Sequence, residues 1–358
     1  PRDLHRFRMP AGAPTPECRI AAVAWAAAHR TGFRMGVNNA LKRITFSFPE
    51  LRTLLLSYLL SSNQGSHAAM RRAVERPLLV DIGAAGYGPP EYSDGSDALL
   101  LLKRFTGVPC EVHGFEMQPG PAAALEKEAT ALLTESGREG SSFSVHRLGV
   151  GAEPALLQAE PLPGMKPKAR TVALTQPSLS AAARRVQPGK MAQLRKQLSW
   201  TVNVTSIDVW AARFDRPLMY LKVDTNGQEP AILHGMQRLL HSAPPLYLSF
   251  EYSSWWSEEL TALAQRPPGA NESAWLTPSA LRVSLARVVS TLHAAGYHAY
   301  LLHSHGLLPI HGGWWDDGCE LLLSDSSSET YDFFAAHHGP PARALEKLFF
   351  HAPLPCIP

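Results

Sequence analysis

Leu78-Leu79-Val80-Asp81-Ile82-Gly83-Ala84-Ala85-Gly86-Tyr87-Gly88 reads as a buried strand that ends in a glycine-rich loop. Glycine lets the chain turn sharply there and lets a ligand come close to the backbone. In open α/β sheets ligands sit beyond the carboxyl ends of the strands, where the strand order reverses. Asp81 and the glycines therefore predict a ligand crevice above the end of a first strand. Similar short apolar runs recur at 111–115, 144–150, 218–223, 246–250, 297–302 and 319–323, giving seven predicted strands. Helical periodicity falls between them. Ile232, Leu233, Met236, Leu239 and Leu240 follow Pro230, which suits a first helical turn. Leu281, Leu285, Val288, Val289 and Leu292 precede Gly296, a suitable helix stop. Strands alternating with helices imply a mostly parallel sheet covered on both faces and joined by right-handed crossovers. No helical pattern separates the last two strands, so an antiparallel hairpin is expected at one edge.

The composition supports such a fold and excludes several others. With 358 residues, 45% of them hydrophobic, the chain can bury a full core as one large domain or two small ones. Global disorder is excluded. The 30 prolines and 26 glycines imply many turns between short elements and exclude a coiled coil or collagen-like rod. Cys18, Cys110, Cys319 and Cys356 share no CxxC spacing, which excludes a disulfide scaffold or a zinc knuckle. No apolar stretch near the start approaches the roughly 20 residues that span a bilayer.

Charge divides the chain. Residues 1–76 hold twelve Lys or Arg against four Asp or Glu, so a basic arm precedes an acidic body. The arm reads as helices near 17–30, 49–62 and 66–75, with Phe48, Leu51, Leu54, Leu55 and Tyr58 forming a stripe that packs on the body. Its charges are spread along these helices, which favours a solvated face over an anionic site. The expected organisation is a basic helical extension at 1–76, a core domain at 77–325 and a tail at 326–358. The core domain includes a Pro-, Gln- and Lys-rich excursion at 153–200. A protein partner could dock on the extension or the tail. Nucleic acid is not expected, because no Asn-Pro-Pro-Tyr motif or aromatic ladder is present.

The chemistry gathers at strand ends. The second strand ends in Phe115-Glu116, beside the first loop. A carboxylate there can accept two hydrogen bonds from a ribose diol, which fits either a dinucleotide or S-adenosylmethionine. The loop lacks the GxGxxG order that accommodates a pyrophosphate, and Pro89-Pro90 removes two amide donors. The phosphate-free ligand is therefore favoured. Asp224 closes the fourth strand, and Glu229 sits where a helix N-terminus would stabilise its charge, a capping role. Glu251 ends the fifth strand and is followed by Tyr252, Trp255 and Trp256, aromatics that either edge a hydroxyl-bearing substrate or cover the core. His234 reads as an ordinary helix histidine.

Five motifs in order carry a family resemblance: Val80-Asp81-Ile82-Gly83-Ala84; Gly114-Phe115-Glu116; Val204-Thr205-Ser206-Ile207-Asp208-Val209-Trp210; Leu221-Lys222-Val223-Asp224 with Gly227 and Glu229; and Ser249-Phe250-Glu251. Together they resemble the FkbM-type S-adenosylmethionine-dependent methyltransferases over roughly residues 77–325. The resemblance implies a class I methyltransferase (Rossmann-like) α/β sheet and O-methylation of a sugar, glycan or natural-product hydroxyl. It implies that Asp81, Gly83 and Gly86 surround the methionine part of the cofactor, Glu116 the ribose, and Leu148, Gly149 and Val150 the adenine edge. Two departures stand out. Gly86 and Gly88 flank Tyr87 where the family has DxGAxxG spacing, and Asn226 stands where the family's DVEGxE has an acid.

Methyl transfer is an in-line displacement, so orientation supplies most of the acceleration. Asp224 and Glu251 are the candidates to orient or deprotonate an acceptor hydroxyl. Asp316 and Asp317, with Trp314 and Trp315 on a loop, are candidate substrate residues. They could hold a divalent ion with Asp224, but an acidic turn is the preferred reading and no metal is expected. The alternative function is a catalytically inactive methyltransferase-like subunit that docks in a larger assembly. Asn203-Val204-Thr205 and Asn271-Glu272-Ser273 match the N-glycosylation pattern. They would suit the secretory pathway or Golgi lumen, with an organelle matrix or the cytoplasm as the other options.

Overall fold

The computed structural model describes residues 44, 47–61, 67–84, 96–135, 138–161, 172–175, 200–225, 228–253, 256, 285–303, 306–315 and 330–349. In chain order they form α1 (Phe48–Ser61), α2 (Ala68–Glu75), β1 (Leu78–Ile82), α3 (Asp97–Arg104), β2 (Glu111–Phe115), α4 (Pro119–Leu133) and β3 (Ser142–His146). There follow β4 (Gly149–Val150), β5 (Ala155–Pro161), β6 (Val172–Thr175), β7 (Trp200–Thr205), α5 (Ile207–Ala211), β8 (Tyr220–Val223), α6 (Glu229–His234) and α7 (Gln237–Ser242). Last come β9 (Tyr247–Ser253), α8 (Leu285–Ala294), β10 (Tyr297–His303), β11 (Gly306–Pro309), β12 (Thr330–His337) and α9 (Pro340–Phe349). Among the described residues no helix is long and apolar enough to cross a membrane.

The main sheet has eight strands in the order β11-β10-β12-β9-β8-β1-β2-β3. β3, β2, β1, β8 and β9 pair in parallel, while β12 runs antiparallel to both β9 and β10. Every residue of β1 and of β8 is buried, as expected of central strands covered on both faces. Alternation sends Leu78, Val80, Ile82, Leu221, Val223, Leu248, Phe250 and Phe333 into one core. Leu79, Tyr220, Tyr247 and Phe334 enter a second core on the other face. The arm's stripe belongs to this second core: Phe48, Leu51, Leu55 and Leu59 of α1 are fully buried, and the Phe48 ring lies 4.8 Å from that of Tyr220. Burying that stripe, at roughly 1.5–3 kcal/mol per large side chain, makes α1 part of the sheet's cover.

Some expectations need correction. Residues 17–30 and 319–323 lie outside the described residues. The edge hairpin is present, but β10 pairs with β11 at 306–309. The domain boundary expected at 325 runs through the sheet, because β12 inserts between β9 and β10 and α9 packs its buried Ala342, Ala344 and Leu345 into the second core. Asp332 interrupts the apolar run of β12, which disguised it as tail. The third strand splits in two, and β4 leaves the main sheet to join β7, β5 and β6 in a four-stranded sheet. The excursion thus contributes two antiparallel strands, β5 and β6. The helix expected after Pro230 breaks at Gly235, where a Cβ would lie 2.4 Å from the Gly151 carbonyl oxygen. Asp208 caps the second piece, accepting from the Arg238 and Leu239 amides at 2.9 and 2.7 Å.

Candidate functional site

The carboxyl edge of the sheet collects acids on one face. Because β1 and β8 pair in parallel with Asp81 opposite Lys222, both side chains leave the sheet on the side of the second core. Lys222 is enclosed by three carboxylates: its Nζ lies 2.7 Å from Asp97, 3.0 Å from Asp224 and 3.8 Å from Asp81. Burial alone would lower the Lys222 pKa, but Asp224, Asp97 and Asp81 overcome it and raise the value well above normal. The ammonium is thus a fixed cation. Asp81 is 1% exposed, and burial pushes its pKa up to about 6 against the pull of Lys222. One of its oxygens accepts the Ala98 amide at 2.9 Å, anchoring the start of α3, while Oδ1 makes no hydrogen bond.

The backbones of β1 and β8 converge just above this lysine. Gly83 has φ +83°, and a Cβ there would lie 1.8 Å from the Asp224 carbonyl oxygen. Only glycine fits. On the next strand Glu116 is buried at the end of β2, with Oε1 accepting the Gln118 amide at 2.7 Å.

Towards β9 the acids continue. Asp224, Glu229 and Glu251 each bring a carboxylate oxygen within 4.8 Å of the other two. Glu229 is fully buried. Its Oε1 accepts the Thr225 amide at 2.6 Å and the Thr225 hydroxyl at 3.0 Å, and its Oε2 accepts Trp256 Nε1 at 2.9 Å. It clamps Thr225 after β8, and no side chain caps the first turn of α6, so the capping expected of Glu229 is replaced by these contacts; burial moves its pKa up to about 6. Trp256 belongs to the first core, stacked on Phe250, so that half of the aromatic pair covers the core. Trp255, Gly86, Gly227, Asn226, Asp316 and Asp317 lie outside the described residues. Gly149 and Val150 form β4, which starts three residues after β3 ends and pairs with β7. His234 is exposed in the last turn of α6.

Three contributors were missed. Lys222 lies in the fourth motif, where the sequence alone assigns it no role. Asp97 follows a loop too long to register by eye. Asp332, 7% exposed, is the cross-strand partner of Glu251, and burial followed by the charge of Asp224 raises its pKa well above normal. An aspartate inside the run Tyr331-Asp332-Phe333-Phe334 was the available signal.

A parallel sheet that reverses order beside β1, carries the antiparallel strands β12 and β11 towards its far edge and gathers acids at the carboxyl ends of β1, β2 and β8 decides the fold. It is the class I methyltransferase fold. No family model matches this chain, and no curated protein does. Among solved structures it is similar to the crystal structure of methyltransferase FkbM from Methylobacillus flagellatus KT, with 15% identity over 73% of this chain and 44% of that one, at a TM-score of 0.37. The small RNA methyltransferase HEN1 is similar at 9% identity over 80% of this chain and 26% of that one, with a TM-score of 0.32. The magnesium protoporphyrin IX methyltransferase ChlM from Synechocystis PCC 6803, solved with bound SAH, shares 9% identity over 80% of this chain and 83% of that one, with a TM-score of 0.29. The chain therefore spans less than half the length of the first two of these proteins.

Proposed function

We propose that the chain is an S-adenosylmethionine-dependent O-methyltransferase acting on a hydroxyl of a sugar, glycan or natural product. The observation that carries this reading is the buried Asp81 Oδ1 without a hydrogen bond, next to the close approach of Gly83 to β8 and one strand from the buried Glu116. S-adenosylmethionine has a sulfonium, an ammonium and a carboxylate, so it is net cationic and suits an acid-lined edge. Asp81 and the Gly83 turn would hold its methionine part and Glu116 its ribose. Bound there, it supplies an electrophilic methyl carbon.

The chain's own contribution is orientation and proton removal. Asp224, just past the end of β8, and Glu251, beside it on the parallel strand β9, would hold an acceptor hydroxyl in line. One of these carboxylates would take the proton of the acceptor hydroxyl, while the cofactor held by Asp81, Gly83 and Glu116 would supply the methyl group. Lys222 fixes Asp224 from behind at 3.0 Å.

The inactive-subunit reading has one observation in its favour: Asp81 already anchors α3 through Ala98, a structural task. Isothermal titration of the full chain with S-adenosylmethionine separates the two. The enzyme reading expects micromolar binding, at least tenfold weaker in Asp81→Asn. No heat with the folded wild-type chain would leave only the scaffold.

A further inference from the structure

The four-stranded sheet carries a motif that the carboxyl edge does not use. Asn203-Val204-Thr205 is the Asn-x-Thr pattern of N-linked glycosylation, with no proline at its middle position, and it forms the end of β7. A strand sends neighbouring side chains to opposite faces. Val202 and Val204 are 3% and 7% exposed and pack with Met117 and Leu157 in a small core of their own. Gly149 of β4 closes against that face, where a Cβ would lie 3.1 Å from Val204 and 3.2 Å from Val202. Asn203, between the two valines, therefore leaves the sheet on the other face, and it is exposed. Its side-chain amide has no hydrogen-bond partner among the described residues, so no contact of the fold depends on it. Directly across the ladder stands Leu156, 56% exposed on the same face. Such opposed residues hold their Cβ atoms roughly 4.5–5.5 Å apart.

We propose that Asn203 carries an N-linked glycan, attached in the lumen of the endoplasmic reticulum before β7 pairs with its neighbours. The donor is a lipid-linked oligosaccharide diphosphate. The Asn203 amide nitrogen bonds to the anomeric carbon of the first sugar and gives up one proton. The bond from that carbon to the diphosphate oxygen breaks, and the lipid diphosphate leaves. Thr205, two residues on, supplies the hydroxyl that completes the acceptor pattern. A glycan attached before folding must end outside the folded chain. Strand alternation ensures this here, because a slip of one residue would drive the sugar into the Val202–Val204 core. Once β7 pairs with β5, the first sugar covers Leu156 and takes apolar surface out of water. Asn271, of the second such pattern, lies outside the described residues. The proposal is independent of the cofactor reading, since neither Asn203 nor Thr205 belongs to the carboxyl edge.

Peptide mapping of the protein isolated from its own cells tests this. Trypsin releases Asn203 on a peptide of residues 197–213, separate from Asn271. That peptide is expected to be missing at its unmodified mass and to appear after peptide-N-glycosidase F in heavy-oxygen water, with Asn203 converted to a labelled aspartate. Recovery of the unmodified peptide as the main form overturns the proposal. The full chain secreted from cultured cells behind an added leader gives a second test. Asn203→Gln and Thr205→Ala should each lose the mobility of one glycan, and Thr205→Ser should keep it. Wild-type mobility in both Asn203→Gln and Thr205→Ala overturns the proposal as well. Either failure leaves the S-adenosylmethionine titration unaffected, and the reverse holds too.

Discussion

At one end of β12, Asp332 faces Glu251 in a group where Lys222 is gripped by Asp81, Asp97 and Asp224. At the other end His337 lies tilted against His338 with ring centroids 4.4 Å apart, and nearby His298 stacks on His311 at the same distance. Both ends bury ionisable side chains in one sheet. The amino edge does so by discharging them: burial brings His311 and His337 down to about 4, so their rings are neutral at pH 7. His311 Nδ1 donates to the Ala299 carbonyl, and His338, beside His337, donates through Nδ1 to that of Gly296. The carboxyl edge instead keeps a fixed ammonium and an excess of acids. The histidines of the amino edge end neutral, whereas the carboxyl edge holds its charge.

Removing the cation should break this contrast most severely. Lys222→Met leaves Asp81, Asp97 and Asp224 facing one another at a buried site and should destabilise the chain by about 3–5 kcal/mol. Urea unfolding measures this. Adding Asp97→Asn should recover part of the loss, because one of the stranded charges is then gone. If Lys222→Met unfolds like wild type, the lysine is not the neutralising group and the charge argument fails.

Next in size is Gly83→Ala. A methyl group 1.8 Å from the Asp224 oxygen, on a residue at φ +83°, must push β1 and β8 apart and should cost about 2–3 kcal/mol. It should also abolish S-adenosylmethionine binding in whatever fraction stays folded. Tyr220→Phe is milder. It removes a 2.6 Å hydrogen bond to Ser249 inside the second core, and the loss should be about 1 kcal/mol.

These residues also show what the sequence made readable. β1, β2, β8 and β10 were legible because each is a short apolar run, and Asp81, Asp224 and Glu251 because an acid at the end of such a run is unusual. Lys222 was hidden by the same rule: an alternating strand position inside a fully buried strand looks apolar until its partners are known. Those partners arrive from α3 and β1, far away in sequence. Asp332 was hidden because an acid in the middle of a run argues against a strand. The break at Gly235 was illegible because it depends on Gly151 and Asp208, which meet it only in three dimensions.

The smallest effect concerns pH, and it pits the two edges against each other. Unfolded histidine titrates near 6.5, whereas His311 and His337 hold values of about 4. Between those limits the unfolded chain binds more protons. The amino edge therefore contributes stability that is present above pH 6.5 and lost as pH falls through 4. His146, also lowered to about 4 by burial, adds in the same direction. Asp81 and Glu229 behave oppositely: their values of about 6 lie above the unfolded 3.9–4.3, so here the folded chain binds more protons. Their contribution is present below pH 4 and lost as pH rises through 6. The wild-type slope of stability against pH over 4–6.5 is thus a partial cancellation, and single substitutions should tilt it in opposite senses. Asp81→Asn should steepen the loss of stability on acidification, and His311→Asn should flatten it. Urea midpoints at a series of pH values read both slopes, and equal slopes in the two variants would mean that the edges do not differ in the way their side chains imply.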